Sequence, residues 1–235
     1  MEITKGMADV QVDGAKMPVF WAHPAAGGPH PAIVVVMEAF GLNDHIRGVA
    51  ERVAKEGYAV AAPNLYHRAS GRQAVGYNEL PDALRLMSEV NDANILKDMG
   101  ATIAYVQKQS YAKPDKLGVT GFCMGGRVSF LTACHNAAVK AAAPFYGGGI
   151  SGLLDQAGGI KAPLLLFWGE NDPFIPLDDV KQVEARLKEL GKQFESIVYP
   201  GAPHGFFCDE RDSYRADAAA DAWTKLKAFF GKNLK

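Results

Sequence analysis

Cys123 lies in the run Lys116–Phe130, KLGVTGFCMGGRVSF, with Gly121 two residues before it and Gly125 two residues after. A predicted strand ends at this point and a predicted helix begins. G-x-C-x-G in that context is the nucleophile-elbow pattern, with sulfur in place of a serine oxygen. The sharp turn strains the backbone of the nucleophile, so small neighbours are needed. At a helix N-terminus, free amides and the helix dipole favour a thiolate. The amide of Met124 can point at an oxyanion. The chemistry available is attack on a carbonyl carbon, provided a base and an orienting group are at hand.

Candidates for both follow in the chain. Asp172 stands in WGENDP (168–173) and His204 in PGAPHGF (200–206), so the order is Cys, Asp, His. Glu170 is a rival orienter. Asp172 is preferred because it lies further out in its loop, as a residue reaching toward a histidine should. His204 is the only histidine in the last third of the chain. His23, His30, His45, His67 and His135 show no HxxxH spacing and are expected mostly at the surface. Cys134 and Cys208 are expected to pack as small apolar groups, with Cys208 four residues after His204.

These residues must be held by a scaffold, and its elements are legible as periodicities. Asp13-Gly14 is a hairpin signal between two short strands. Ala32 to Met37, AIVVVM, reads as a strand buried on both faces. Ile46, Val49, Ala50, Val53 and Ala54 share one helical face, with Asn43 or Asp44 as cap and Gly57 as stop. YAVAAP (58–63) is the next strand, and residues from about 80 to 109 are helical in pattern. Strands follow at KLGVTG, KAAAPFYGG, APLLLFWG and FESIVYP. Helices are expected at 124–135, 177–191 and 214–233. Strands alternate with helices, which predicts a three-layer α/β fold with a mostly parallel sheet over a single domain, residues 1–235. Ligands of such sheets sit at the carboxyl ends of the strands, where Glu38, Cys123, Asp172 and His204 all stand.

The whole chain narrows the function classes. It has 235 residues, a formal charge of −1 and interspersed acids and bases, so no basic stripe suggests nucleic acid. No apolar run approaches the roughly 18 residues that span a bilayer. The N-terminus lacks the features of a signal peptide. Three cysteines without CxxC spacing argue against a disulfide framework or zinc site. The chain reads as soluble and cytoplasmic, a monomer or small homo-oligomer.

The stretches MEAFGLN (37–43), APNLYHR (62–68), VTGFCMGGR (119–127), WGENDPFIP (168–176) and PGAPHGF together resemble the dienelactone hydrolase family of the α/β-hydrolase fold, over nearly the whole length. The resemblance implies Cys123 as nucleophile, His204 as base and Asp172 as orienter of the imidazole. It implies that Glu38 contacts the resting thiol and helps form the thiolate. The implied oxyanion donors are the amides of Ala39 and Met124. No metal or organic cofactor is expected, and the implied substrate is a small ester or lactone. Members acting on dienelactone carry an arginine just after the histidine, where this chain has Phe206 and Phe207. Arg68, Arg72 and Arg85 are the candidates for the upstream arginine, and Arg211 is the nearest one downstream. Phe40, Tyr66, Tyr146, Phe206 and Phe207 suit an apolar acyl or aryl group. Two alternatives remain: the same site turned on activated phosphotriesters, or a catalytically silent fold used for binding.

Overall fold

A computed structural model describes residues 1–71 and 73–235, and the candidate Arg72 lies outside the described residues. By its internal contacts the chain resolves into two units, Met1–Leu117 and Gly118–Lys235.

The first unit opens with the hairpin expected at Asp13-Gly14. Strands β1 (Ile3–Val12) and β2 (Ala15–Pro24) pair antiparallel, and both turn residues take positive φ, 50° and 80°. Strand β2 then pairs antiparallel with β4 (Ala59–Pro63), which pairs in parallel with β3 (His30–Val36). Residues 31–36 of β3 and all of β4 are buried, as their unbroken apolar runs require. Helix α1 (Asp44–Lys55) joins them. Asn43 caps it, its side chain accepting the Ile46 N–H at 3.1 Å, and the five predicted apolar residues are its buried face.

The helical stretch after residue 80 is two helices rather than one. Helix α2 (Leu80–Ser88) stops before Asn91, whose side chain caps α3 (Asp92–Gln107) by accepting the Asn94 N–H at 3.0 Å. Asn91 prefers a cap to a helix interior, and that preference outweighs the continuous periodicity.

Strand β5 (Ala112–Phe122) begins in the first unit and ends in the second, and the strand order is β1-β2-β4-β3-β5-β6-β7-β8. In the second unit, β6 (Val139–Phe145), β7 (Leu164–Gly169) and β8 (Phe194–Tyr199) follow in parallel. Their connections are α4 (Met124–His135), a 3-10 segment at Ile150–Gly159 that the periodicities did not reveal, and α5 (Leu177–Glu189). Helix α6 (Ala216–Leu234) ends the chain. The core of this unit is aromatic. Phe122 and Phe145 lie 4.7 Å apart between ring centroids, and Phe145 stacks on Phe167 at 4.2 Å. Among the described residues no helix is long and apolar enough to cross a membrane.

Candidate active site

The second unit carries the thiol, carboxylate and imidazole at the carboxyl ends of its strands. Cys123 follows β5 directly, with φ 56° and ψ −118°. A non-glycine residue held there is strained, and its surroundings must hold it. They do so through three backbone hydrogen bonds. The Cys123 N–H donates to the Phe145 carbonyl at 3.1 Å, and its own carbonyl accepts from Gly126 at 2.9 Å and Arg127 at 3.3 Å. Met124 is the first residue of α4. Gly126 lets α4 start this close to β6, because a Cβ there would overlap the Phe145 carbonyl oxygen. The Cys123 side chain is half-buried, whereas Cys134 and Cys208 are buried. Burial pushes the Cys134 thiol up to about 12, which marks it as an inert packing group.

Asp172 stands in the turn after β7 and His204 in the loop after β8. Both are buried, and His204 Nδ1 lies 2.7 Å from Asp172 Oδ2. The other carboxylate oxygen accepts the Phe174 N–H at 2.8 Å, which fixes the carboxylate plane. The Cys123 side chain is the second group that raises the pKa of the His204 ring. With Nδ1 taken by Asp172, the nitrogen left for sulfur is Nε2. Burial pulls the imidazole pKa down, but the hydrogen bonds and charges of Asp172 and Cys123 outweigh it, and the value rises to about 10. The same contacts favour the imidazolium over the neutral ring, the direction that lets His204 hold a proton taken from the thiol.

The two rival carboxylates are separated by structure. Asp172 faces the imidazole, while Glu170 Oε2 accepts the Gly201 N–H at 2.7 Å. The His204 ring meets two others edge-on at 5.1 Å, Tyr146 and Phe174. Tyr146 is fully buried with φ 35°, a second strained position beside the histidine. Phe206 is fully buried between Tyr146 and Tyr199, and Phe207 stacks on Phe122 at 5.0 Å, so both pack inside the unit. The exposed ring next to His204 is Phe174, 64% exposed, which the sequence reading missed. Its signal was available: Phe174 is two residues past Asp172, and DPF places an aromatic where a turn leaves it outside. Arg211 lies over Gly205, where an added Cβ would overlap its guanidinium.

In the first unit, Glu38 is fully buried at the end of β3, and its Oε2 accepts the Tyr77 hydroxyl at 2.8 Å. Tyr77 is a further residue not foreseen. The following turn is closed by the Gly41 N–H donating to the Glu38 carbonyl at 3.2 Å. Tyr66 is fully buried, and its hydroxyl donates to the Ala39 carbonyl at 2.8 Å, fixing the peptide that follows Ala39. Phe40 is buried edge-on to Tyr77 at 4.7 Å. Arg68 Nη1 stands 2.6 Å from Asp98 Oδ2 and 2.7 Å from His67 Nε2, so its guanidinium is held by a buried carboxylate. Arg85 is paired with Glu89 at the surface. The expectation that the other histidines are mostly superficial is corrected: His45 and His67 are buried, and His67 joins the Asp98 network. A histidine flanked by a strand end and a charged partner can be satisfied inside, which its spacing alone does not reveal.

Comparison with known proteins places the chain in a family. A model of the dienelactone hydrolase family matches residues 17–234. The chain is similar to a Synechocystis sp. protein named "Putative carboxymethylenebutenolidase", with 42% identity over 230 residues and 92% of each chain covered. It is similar to the crystal structure of a "Putative Dienelactone Hydrolase" from Klebsiella pneumoniae, with 36% identity and a TM-score of 0.92 over 99% of this chain and 100% of that one. A dienelactone hydrolase-like promiscuous phosphotriesterase from metagenomic libraries shares the fold, with a TM-score of 0.90 and 24% identity over all of both chains. The expected three-layer α/β-hydrolase architecture is thereby shown. With the family's model matched from β2 to the end of α6, and a relative so alike over nearly its whole length, this chain belongs to the dienelactone hydrolase family of hydrolases.

Proposed function

We propose that the protein hydrolyses small carboxylic esters or lactones with Cys123 as nucleophile, His204 as acid and base, and Asp172 as orienter of the imidazole. The observation that carries the proposal is the 2.7 Å contact of Asp172 with a His204 ring on which the Cys123 thiol, at a strained elbow, also acts. Asp172 on Nδ1 leaves Nε2 to exchange a proton with sulfur. The thiolate attacks the carbonyl carbon, and the π electrons move to oxygen. The oxyanion meets the amide of Met124 and, as the family resemblance implies, that of Ala39. Each such donor is worth roughly 3 kcal/mol in related acyl transfers. The tetrahedral centre collapses, the carbon–oxygen bond breaks, and the leaving alkoxide takes the Nε2 proton. In a lactone it remains tethered. Water then gives a proton to Nε2 and attacks the thioester. Collapse releases the carboxylic acid and returns the proton to the thiol.

Family resemblance also assigns Glu38 to forming the thiolate, and its burial at a strand end supports that role for a charged group. The curated relatives' names point to a lactone as substrate. Arg68 is engaged by Asp98, which favours substrates that need no arginine from that position.

The test is turnover of p-nitrophenyl acetate, p-nitrophenyl butyrate and a dienelactone by the wild type and Cys123→Ala, with intact mass recorded during turnover. The expected result is hydrolysis with a transient acyl adduct on Cys123, lost in the variant. Undiminished hydrolysis by Cys123→Ala would sink the proposal. Paraoxon in the same panel reads the phosphotriester alternative, and no turnover of any substrate would favour the silent fold.

A further inference from the structure

His204 and Asp172 sit on different loops, and their 2.7 Å contact depends on how those loops are held together. The weak point is Gly201, three residues before His204, with φ 65°. A glycine in the left-handed region can rotate its peptide more freely than any other residue. The two peptides that flank its Cα are each gripped. The Gly201 N–H donates to Glu170 Oε2 at 2.7 Å, and the Gly201 carbonyl accepts from Arg215 Nη1 at 3.1 Å. The negative charge faces the N–H of the peptide before the Gly201 Cα and the positive charge faces the carbonyl of the peptide after it, so each complements the dipole it meets. Glu170 is two residues before Asp172, and Arg215 stands at the N-terminal boundary of α6. The Arg215 N–H in turn donates to the Phe206 carbonyl at 3.0 Å, two residues after His204. Backbone bonds from Glu170 to the Tyr199 carbonyl and from Asn171 to the Ala202 carbonyl, each 3.0 Å, join the two loops behind this grip.

We propose that Glu170 and Arg215 are positioning residues that clamp the two peptides flanking Gly201 and so hold His204 against Asp172 and Cys123. The proposal rests on the function assigned above and adds to it two residues that touch no reacting atom. The rival orienter of the sequence thus acts on the histidine's loop instead of its ring. Because the two backbone bonds survive removal of the Glu170 side chain, the loop keeps its place, but the Gly201 peptide regains its freedom.

The experiment reads kcat and KM on p-nitrophenyl acetate, together with the rate at which iodoacetamide alkylates Cys123. Peptide mapping separates Cys123 from the buried Cys134 and Cys208. Glu170→Ala is expected to lower kcat about 3- to 10-fold, the range for losing one ordinary hydrogen bond, because this one is exposed to solvent, with KM within about twofold. Alkylation should slow by a similar factor. Glu170→Gln keeps an acceptor oxygen and is expected to restore both rates to within about twofold of wild type. Arg215→Ala should act in the same direction as Glu170→Ala. In a His204→Ala background, Glu170→Ala should leave the alkylation rate unchanged, because the histidine it positions is gone. Wild-type rates in Glu170→Ala, or an equal further loss without His204, would overturn the clamp. Turnover that survives in Cys123→Ala would instead overturn the assigned function, while the alkylation arms would still decide the clamp.

Discussion

Asp172→Asn tests the site with one atom. Asp172 accepts two hydrogen bonds, from His204 Nδ1 through Oδ2 and from the Phe174 N–H through Oδ1. Asparagine has one acceptor oxygen, and the backbone N–H of Phe174 claims it. The amide NH2 then faces Nδ1 and forces the tautomer with hydrogen on Nε2, which cannot take a proton from the thiol. The magnitude follows from the 2.7 Å contact, one hydrogen bond to a charged acceptor, worth about 1.5–3 kcal/mol. Lost from the transition state, it lowers kcat/KM roughly 10- to 150-fold. The assay is p-nitrophenyl acetate hydrolysis at neutral pH, with circular dichroism as a check on folding. A variant within about threefold of wild type would refute the reasoning. A stability readout accompanies it. The folded pKa lies above the unfolded one, so the stabilisation is complete below about pH 6.5 and is lost as pH rises through about 10. The deficit in Tm of Asp172→Asn should therefore be largest at mildly acidic pH and shrink toward pH 10. A deficit that grows with pH would contradict the assignment.

Two further perturbations test the scaffold. Gly126→Ala puts a Cβ against the Phe145 carbonyl oxygen and within 3.0 Å of Gly147, backbone on both sides. It is expected to cost about 1–3 kcal/mol and to displace the start of α4, lowering kcat through Cys123 and Met124; denaturant unfolding and ester turnover check it. Asp98→Asn leaves Arg68 and the buried His67 without their carboxylate, and should destabilise by about 2–4 kcal/mol. At about 2–4 °C per kcal/mol for a chain of this size, the scanned Tm should fall by roughly 4–16 °C, and an unchanged Tm would remove Asp98 from the supports of the first unit.

What could be read without coordinates shares a physical origin. The elbow at Cys123, the hairpin at Asp13-Gly14 and a cap at Asn43 or Asp44 are local: neighbouring residues alone set the backbone there, so spacing predicts them, and the structure chooses Asn43. The apolar runs of β3 and β4 are legible for the same reason, since burial on both faces leaves no polar alternation. The break between α2 and α3 was hidden because a cap at Asn91 and a continuous apolar periodicity compete, and only packing decides between them.

Partner choice was not legible. Glu170 and Asp172 are two residues apart with the same chemistry, and which of them meets His204 depends on a loop from another strand. The sequence offered both; the tertiary fold gave Asp172 to the ring and Glu170 to the Gly201 peptide. Likewise, Phe206 and Phe207 look like pocket residues beside a catalytic histidine, yet the aromatic core of the second unit absorbs them and leaves Phe174 exposed. The sequence by itself determined which groups are on offer, a thiol at an elbow with carboxylate and imidazole candidates, because residue type and elbow spacing are properties of the local chain. Only the tertiary structure decided which groups support it, because a hydrogen bond between distant loops depends on a distance that no local spacing encodes.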